Sequence, residues 1–542
     1  MTARRPTKFD ERRRAARVAS ALAGACCVAA VCACSSDQKK ETPLTREQAL
    51  DPENCRGCHA DYYNEWSASM HAYAARDPVF LAMNRRGQAE TNGALGNFCV
   101  QCHAPMAVRQ DLTQDGLNLE SLPASAQGVT CYFCHNTVDV IGTHNAPLTL
   151  DPHDPIALRG GISDPLSSAP HHSSASGLLT GSDPSSATLC GACHDIQLQS
   201  PPGPPPTDGA PVELERTFQE WQGTVFAPGH NTLNPNGVTC GGCHMPVPAR
   251  GAVGAIAPGA PATRKLHDHL FPGVDVALDG SPSQPNQNAV QGFLDTVLRV
   301  KRLCVEYQDD PTDRQRIRLL VDFDNVGAGH FWPSGAAQDR RAWVDVRVLV
   351  DDALVYSSGK LDAGTDVTTS SDPDLWLLRD ETKKTDGSPA HMFWDVASIT
   401  PGTIPGAVTS VVGAPGYDGT HVIREYPRDS TSWITAPYDQ ARLRVEVRMN
   451  IQAVGYDVLD DLVASGHLDA STRSAVTSIV LHPNQAFARQ DLIAQDPGYA
   501  RFNDLTFEWS ALSLSSPYFA GAAPQSLGTV DMLCAGMTRT TQ

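Results

Sequence analysis

The sequence predicts a chain of more than one domain, with a mostly irregular and helical first half followed by an all-β, antiparallel, sandwich-like second half. From about residue 291, several segments alternate apolar and polar residues with a period of two, as half-buried β-strands do. Before that point, five short cysteine motifs are separated by loops rich in Gly, Pro and Ser. We therefore expect one domain over residues 51–290 and a second over residues 291–542.

Composition indicates a globular protein that does not bind nucleic acid. Of 542 residues, 41% are hydrophobic and 19% are charged, and the formal net charge is −18 at pH 7. A strongly negative surface disfavours nucleic acid and favours basic protein partners. Aromatic residues make up only 6%, whereas there are 43 glycines and 40 prolines. A chain with so many turns and so few large apolar side chains would be helped to fold by a large apolar cofactor.

Residues 1–33 have the features of an export signal. Seven basic residues precede a run of 16 small and apolar residues, Val18 to Ala33, which is shorter than the ~20 residues of a typical membrane span. The run ends in "VCAC", so Cys34 lies where a bacterial lipoprotein is lipidated; simple cleavage nearby is the alternative. We expect export to the periplasm or outer membrane, a lipid anchor on Cys34, and a polar linker over residues 34–50.

Ten of the 16 cysteines lie in five C-x-x-C-H frames, numbered motif 1 to motif 5 in chain order. They are Cys55, Cys58 and His59; Cys99, Cys102 and His103; Cys131, Cys134 and His135; Cys190, Cys193 and His194; and Cys240, Cys243 and His244. C-x-x-C-H is the attachment motif of c-type haem. On a helical turn, positions i, i+3 and i+4 share a face, so two thiols can bind the haem vinyl groups while the histidine reaches the iron. The sequence therefore predicts five covalently attached haem c groups.

Zinc binding and disulfide formation explain the five frames less well. Structural zinc sites pair two C-x-x-C units into four-ligand sites, and five units would leave one unpaired. Neither zinc nor a disulfide requires the histidine that ends every frame. Four of the other six cysteines lie in the signal region, at positions 26, 27, 32 and 34. The last two, Cys304 and Cys534, are expected to form a disulfide in an oxidising compartment; two buried free thiols are the alternative.

The second half contains the strand patterns "RIRLLVDFDNV", "RAWVDVRVLVDD", "ALVYSSGKL", "ARLRVEVRMNIQAV" and "LTFEWSALSL". A tight hairpin is expected at Asp351 and Asp352, and one short helix at "DVLDDLVASG". We find no nucleophile motif, metal-ligand cluster or phosphate-binding loop in this half of the sequence.

The segment after motif 1 carries a family resemblance. Motif 1 followed by Tyr63, Trp66, Ser69 and His71 gives C-x-x-C-H and then Y-x-x-W-x-x-S-x-H. This arrangement resembles the multihaem cytochromes related to cytochrome c-554. The resemblance implies that His71 is a distal ligand to a neighbouring haem.

Three further segments resemble the same family, so the resemblance covers residues 51–345. "HHSSASGLL" before motif 4 implies a ligand at His172, with the adjacent His171 as the alternative. "HDHLFPG" after motif 5 implies a ligand at His269. "NVGAGHFWPSG" implies a ligand at His330, which lies in the β-rich half.

The fifth distal ligand has no clear motif. "QEWQGTVFAPGH" echoes "NEWSASMH", but Phe226 stands at the position of His71, and His230 follows four residues later. His144, in "IGTHNAPL", is the other candidate. Either one of these two histidines completes the fifth haem, or one haem is five-coordinate.

The sixth ligand decides what each haem does, because two histidines give a closed electron carrier and an open position can bind a substrate. We expect an electron-transfer protein that passes electrons to redox partner proteins. A multihaem oxidoreductase acting on a small nitrogen or sulfur compound is the alternative, and whether the chain is an enzyme stays open. A binding protein with structural haems is a third class, but no aromatic or charged binding strip supports it.

Overall fold

The computed structural model describes residues 42–153, 156–165, 170–198, 211–230, 234–279, 284–310, 314–325, 327–408, 420–429, 431–437 and 443–488. The described residues from Leu44 onward belong to one compact unit. The predicted signal sequence, Cys34 and Cys534 lie outside the described residues. Within the described ranges, none of the helices combines the length and apolarity that crossing a bilayer requires.

Helices occupy most of the regular structure up to residue 297, and two more follow in the β-rich region. They are α1 (Arg46–Leu50), α2 (Pro52–Arg56), α3 (Ala60–Ser67), α4 (Met70–Tyr73), α5 (Pro78–Glu90), α6 (Val100–His103), α7 (Pro105–Arg109), α8 (Cys131–Asn136), α9 (Ser186–Gly191), α10 (Thr217–Gln222), α11 (Cys240–His244), α12 (Gln284–Val297), α13 (Tyr456–Ala464) and α14 (Ala470–Ala475). Most are one or two turns long, as expected for the motif-bearing half. The exceptions are α5, whose first turn is capped by the Asp77 side chain and begins at a proline, and α12.

Strands dominate after residue 298, and eight short strands lie before that position. They are β1 (Thr137–Val140), β2 (Leu148–Leu150), β3 (Arg159–Gly160), β4 (Ser174–Ala175), β5 (Asp195–Leu198), β6 (Val212–Arg216), β7 (Val253–Gly254), β8 (Arg264–Lys265), β9 (Arg299–Asp310), β10 (Arg314–Asp324), β11 (Arg341–Val350), β12 (Ala353–Ser358), β13 (Leu377–Leu378), β14 (Glu381–Lys383), β15 (Ser398–Thr400), β16 (His421–Tyr426), β17 (Ile434–Pro437), β18 (Leu443–Gln452) and β19 (Ile479–Ala488).

Two larger antiparallel sheets make the C-terminal region β-rich. One has the order β16-β10-β17 with β9 also paired to β10, and the other has the order β12-β11-β18-β19 with β13 also paired to β11. The expected hairpin joins β11 to β12, where Asp351 and Asp352 take positive φ angles of 52° and 62°. The expected helix at "DVLDDLVASG" is α13.

One hydrophobic core joins these two sheets. It includes Val321 and Phe323 of β10, Val346 of β11 and Val447 of β18, each 2% exposed or less, and it also takes in the buried face of α12. The alternating pattern therefore places one face of each strand in a shared core. Face-to-face packing as a sandwich, and a domain boundary at residue 290, stay predictions; α12 itself spans that position.

Candidate haem centres

Each of the five motifs lies on a helical turn. In motifs 1, 2 and 4 the histidine N–H donates to the carbonyl of the first cysteine, at 2.8, 3.2 and 3.1 Å. Motif 3 begins α8 and motif 5 makes up α11. The two cysteines and the histidine of each motif therefore share one helical face, as thioether attachment and iron ligation require.

Four of the five motif histidines are oriented by a backbone carbonyl. Their Nδ1 atoms lie 2.5–3.3 Å from carbonyl oxygens, in the pairs His59 with Ile256, His103 with Ala74, His135 with Arg159, and His244 with Pro272. A carbonyl oxygen can only accept, so Nδ1 carries the proton and donates it. The Nε2 atom is then free to bind a metal, and the ring orientation is fixed by a contact outside the metal's own ligands.

Three motif histidines face a histidine from another part of the chain. The ring centres are 6.2 Å apart for His59 and His171, 6.3 Å for His194 and His71, and 6.4 Å for His244 and His330. In the last pair the two rings are 11° from parallel. Each pair thus combines one motif histidine with one of the candidate distal histidines.

These separations fit a metal placed between the two rings. A metal–imidazole bond is about 2.0 Å long and the nitrogen lies about 1.15 Å from the ring centre, so imidazoles on opposite sides of one metal have centres about 6.3 Å apart. Direct stacking or van der Waals contact of two imidazoles would allow shorter separations. The residues present therefore fit iron held between two histidines at motifs 1, 4 and 5.

His269 lies near motif 3. Burial first, and the neighbouring imidazole of His135 second, lower the pKa of His269 to about 3. The aromatic rings of Tyr62 and Phe271 flank it, with centres 4.8 and 5.7 Å from the His269 ring. His269 is thus the remaining candidate distal histidine, and His135 is the motif histidine whose charge acts on it.

His103 of motif 2 has a different neighbour. The ring of Phe80 stacks on it at 4.1 Å, with the two planes 1° apart. The His194 imidazole lowers the pKa of His103, and the His103 imidazole lowers the pKa of His71. These two neighbours, His194 and His71, already face each other. Among the described residues, motif 2 is therefore the one motif without a distal histidine of its own.

Burial keeps several of the candidate ligands neutral. Desolvation is the largest cause that lowers the pKa of four of them, and neighbouring imidazoles add to it in His71 and His194. The pKa falls to about 3 for His71 and to about 4 for His103, His194 and His244. Neutral imidazole is the form that binds a metal.

Several candidate residues are not brought to a motif. His172, the preferred candidate over its neighbour, has a positive φ of 47°, and His171 is the one that faces His59. His144 lies in a loop, where its Nδ1 is 3.3 Å from the hydroxyl of Thr143. His230 is exposed. The structure therefore gives His171 the place that the resemblance offered to either histidine of the pair.

The motifs themselves are neighbours in a defined order. Cysteine side chains of different motifs come within hydrogen-bonding reach of one another in three places, and in a fourth they lie close together. The pairs in contact are Cys55 with Cys131, Cys102 with Cys193, and Cys190 with Cys240, and Cys134 lies near Cys190 and Cys193. Motif 1 thus adjoins motif 3, motif 3 adjoins motif 4, and motif 4 adjoins both motif 2 and motif 5.

Some functional contacts could not be found in the sequence. The carbonyls that orient the motif histidines are backbone atoms, which leave no side-chain pattern. Glu65 and Glu220, which bind the segments that carry His269 and His330, were also not expected to be functional. The repeated pair Glu-Trp at 65–66 and 220–221 was the available signal.

Comparison with known proteins agrees with the motifs. Residues 54–136, which span motifs 1 to 3, match the family model described as cytochrome c554 and c-prime. The chain is also similar to the crystal structure of a penta-heme cytochrome c552 from Thermochromatium tepidum, with a TM-score of 0.49 and 17% identity, over 81% of this chain and 98% of that one. No curated protein sequence gives a significant match.

Proposed function

We propose that this chain, a multihaem c-type cytochrome, is an exported electron carrier with five covalently attached haems, most of them held between two histidines. The observation that carries the proposal is the set of three histidine pairs 6.2–6.4 Å apart, each joining a motif histidine to one from a distant segment. A group held between two histidines has no position left for a substrate, so its chemistry is restricted to gaining and losing an electron.

The chain's own residues would hold the haems as follows. The ten motif cysteines form the thioether bonds, and each motif histidine provides one iron ligand. His171, His71, His269 and His330 provide the second ligand at motifs 1, 4, 3 and 5, respectively. When bound, each haem supplies one-electron exchange between ferric and ferrous iron, with nitrogen ligands that favour a lower potential than a methionine ligand does.

The order of the motifs supports a branched path with one exposed end. Motifs 1, 3 and 4 follow one another, and motifs 2 and 5 both adjoin motif 4. Cys58 of motif 1 is exposed, whereas the other motif cysteines are half-buried. We propose that redox partner proteins exchange electrons at motif 1.

Export and anchoring complete the proposal. Multihaem c-type cytochromes are typically exported, and the basic and apolar residues of 1–33 provide a signal for it. We propose that the protein works in the cell envelope, as a periplasmic or outer-membrane protein anchored by a lipid on Cys34.

A second function, as an oxidoreductase at an open haem, is favoured by motif 2. His103 lacks a facing histidine among the described residues, and Phe80 stacks on its ring. A haem with one free position there would accept a small nitrogen or sulfur compound.

Iron analysis and a stepwise reductive titration of the purified full-length protein test the electron-carrier function. We expect five irons and five electrons per chain, all of which pass on to an oxidised redox protein. Fewer than five haems would contradict the proposal. Repeated turnover of added nitrite or hydroxylamine by the reduced protein would instead establish the second function at motif 2.

A further inference from the structure

The motif-bearing half contains an internal duplication that the structure makes visible. The sequence "NEWSASMHA" (64–72) is followed by "GVTC" (128–131) at the start of motif 3, and "QEWQGTVFA" (219–227) is followed by "GVTC" (237–240) at the start of motif 5. We call the first set copy A and the second set copy B. In each copy a Glu-Trp pair precedes a GVTC motif.

The tryptophan contacts of the two copies are the same. In copy A, Trp66 Nε1 donates to the carbonyl of Val129 at 2.8 Å; in copy B, Trp221 Nε1 donates to the carbonyl of Val238 at 2.9 Å. The Ser69 hydroxyl donates to the Trp66 carbonyl at 2.7 Å. Copy B repeats this contact with a threonine hydroxyl on the Trp221 carbonyl at 2.8 Å.

The backbone contacts of the two copies also match. The Val129 N–H donates to the carbonyl of His71 at 2.8 Å, and the Val238 N–H donates to the carbonyl of Phe226 at 2.8 Å. The glycine that begins each GVTC has a φ of 71° and approaches that same carbonyl so closely that a side chain would collide with it. The two copies therefore share one local structure, not only a sequence echo.

The glutamates of the two pairs also make equivalent contacts. In copy A, Glu65 Oε1 pairs with Arg250, and Glu65 Oε2 accepts the backbone N–H of His269 at 3.1 Å. In copy B, Glu220 Oε1 lies 3.6 Å from Arg216, and Glu220 Oε2 accepts the backbone N–H of Phe331, next to His330, at 3.3 Å. Each carboxylate thus uses one oxygen for an arginine and the other for a segment that carries a distal histidine.

The partner segments carry corresponding candidate ligands. His269 is the candidate distal ligand at motif 3 and His330 is the candidate at motif 5, and these two motifs are the ones that begin with GVTC. Both segments lack regular secondary structure at these residues, so a charge-assisted hydrogen bond has a large effect on where the loop lies.

Copy B holds its segment with additional contacts. Glu220 Oε2 also accepts from the Ser334 hydroxyl at 2.6 Å, and the Thr217 hydroxyl of α10 lies 2.8 Å from the same hydroxyl. The Gly335 N–H donates to the Thr217 hydroxyl at 3.0 Å. Helix α10 therefore fixes the His330 segment at several points around one buried carboxylate, which is 8% exposed.

We propose that Glu65 and Glu220 are equivalent positioning residues, which hold the distal histidines of motifs 3 and 5 on their irons. The proposal rests on the proposed function, since it assigns the residues that secure two of its histidine pairs. Holding a loop ligand in place lowers the entropy lost when it binds, so the ligand stays bound when competitors are present.

One difference between the copies changes a candidate ligand. His71 in copy A faces His194 of motif 4, whereas Phe226 in copy B packs against Gly329 in the His330 segment. Copy A therefore supplies a ligand and secures another, and copy B only secures one.

Replacement of Glu220 in the haem-loaded full-length protein tests the proposal. In Glu220→Ala we expect one low-spin haem to become high-spin, with the same spectrum as His330→Ala, and added imidazole should restore the low-spin signal. The double variant should show no second conversion. Glu213→Ala is the matched control, because Glu213 accepts from Gln197 and Gln219 in the same region and should leave all haems unchanged.

A conservative variant keeps the test informative if Glu220→Ala does not fold. Glu220→Gln retains an accepting oxygen but loses the charge, so the haem should stay low-spin and cyanide should displace its distal histidine about tenfold faster than in the natural protein. In copy A, Glu65→Ala should convert a different low-spin haem to the high-spin form. Glu53→Ala is the control variant for copy A.

The proposal is overturned if folded Glu220→Ala and Glu65→Ala both keep every low-spin haem of the natural protein, or if Glu220→Gln shows unchanged cyanide displacement. A natural protein without paired, low-spin haems would instead contradict the proposed function itself.

Discussion

Most of the buried apolar side chains in residues 284–488 belong to one hydrophobic core, whereas residues 44–279 divide theirs among small clusters, one of which joins α5 to α13. Among the described residues, the first region buries 25 side chains in a single core that joins its two sheets. The clusters around α5 and α8 have eight and seven members, and the cluster of α10 has four. The two regions therefore differ in how much of their interior is made of protein.

Cysteines of motifs 2 to 5 pack against these small clusters. Burial lowers the pKa of the candidate ligands His71, His194 and His269. Haems bound at the motifs would add apolar surface between the clusters and satisfy the free Nε2 atoms at once. The β-rich region can therefore form its core from side chains, whereas the motif-bearing region needs its cofactors to complete one.

Removal of the haems should give the largest effect. In a variant with the ten motif cysteines replaced by serine, we expect residues 44–279 to lose their structure, because the small clusters cannot offset the lost chain entropy. Residues 284–488 should stay folded. Limited proteolysis with mass spectrometry measures which region has lost its structure. Equal protease resistance of the two regions in this variant would contradict the prediction.

A core substitution in the β-rich region should have the opposite pattern. Phe323 is fully buried and its ring meets that of Trp376 at 4.9 Å. Phe323→Ala should lower the free energy of unfolding by about 3–5 kcal/mol, without changing the number of low-spin haems. Urea denaturation followed by fluorescence and haem absorbance measures both. Leu354→Ala, at a side chain that is 45% exposed, is the control.

A buried ion pair adds a pH-dependent contribution to the same region. Burial raises the pKa of Asp457, whereas the Arg341 guanidinium, 2.5 Å away, lowers it. The net effect is a lowered pKa. This stabilisation is present above the unfolded value of about 3.9 and is lost as the pH falls through the folded pKa. Arg341→Met should therefore cost about 3 kcal/mol at pH 7.

The cost of Arg341→Met should shrink on acidification, as Asp457 becomes protonated in both proteins. Urea denaturation at pH 7 and at pH 3 compares the two conditions. The same loss at both pH values would show that the ion pair does not act through the charge of Asp457.

Replacement of His144 should have the smallest effect. His144 lies in a loop beside Thr143 and faces no motif histidine, so His144→Ala should leave the haem spectrum unchanged. His171→Ala is the matched positive variant and should convert one haem to high-spin. If His144→Ala gave that conversion, a fifth distal ligand would lie in the loop and motif 2 would be closed.

The attachment motifs follow more directly from the sequence than the histidines that face them do. The motifs need only a helical turn, which five residues form by themselves, and the strands β10, β11 and β18 follow from a local alternation. Which histidine faces which motif depends on contacts between His59 and His171 or His244 and His330, far apart in the chain. Two adjacent histidines at 171 and 172 differ only in backbone conformation, which no pattern in the sequence records.

The count of low-spin and high-spin haems in the oxidised full-length protein, measured by electron paramagnetic resonance, tests the pairing of histidines most directly. The pairs at motifs 1, 3, 4 and 5, together with the unpaired His103, predict four low-spin haems and one high-spin haem. Five low-spin haems would contradict the open position at motif 2, and two or more high-spin haems would contradict the pairing.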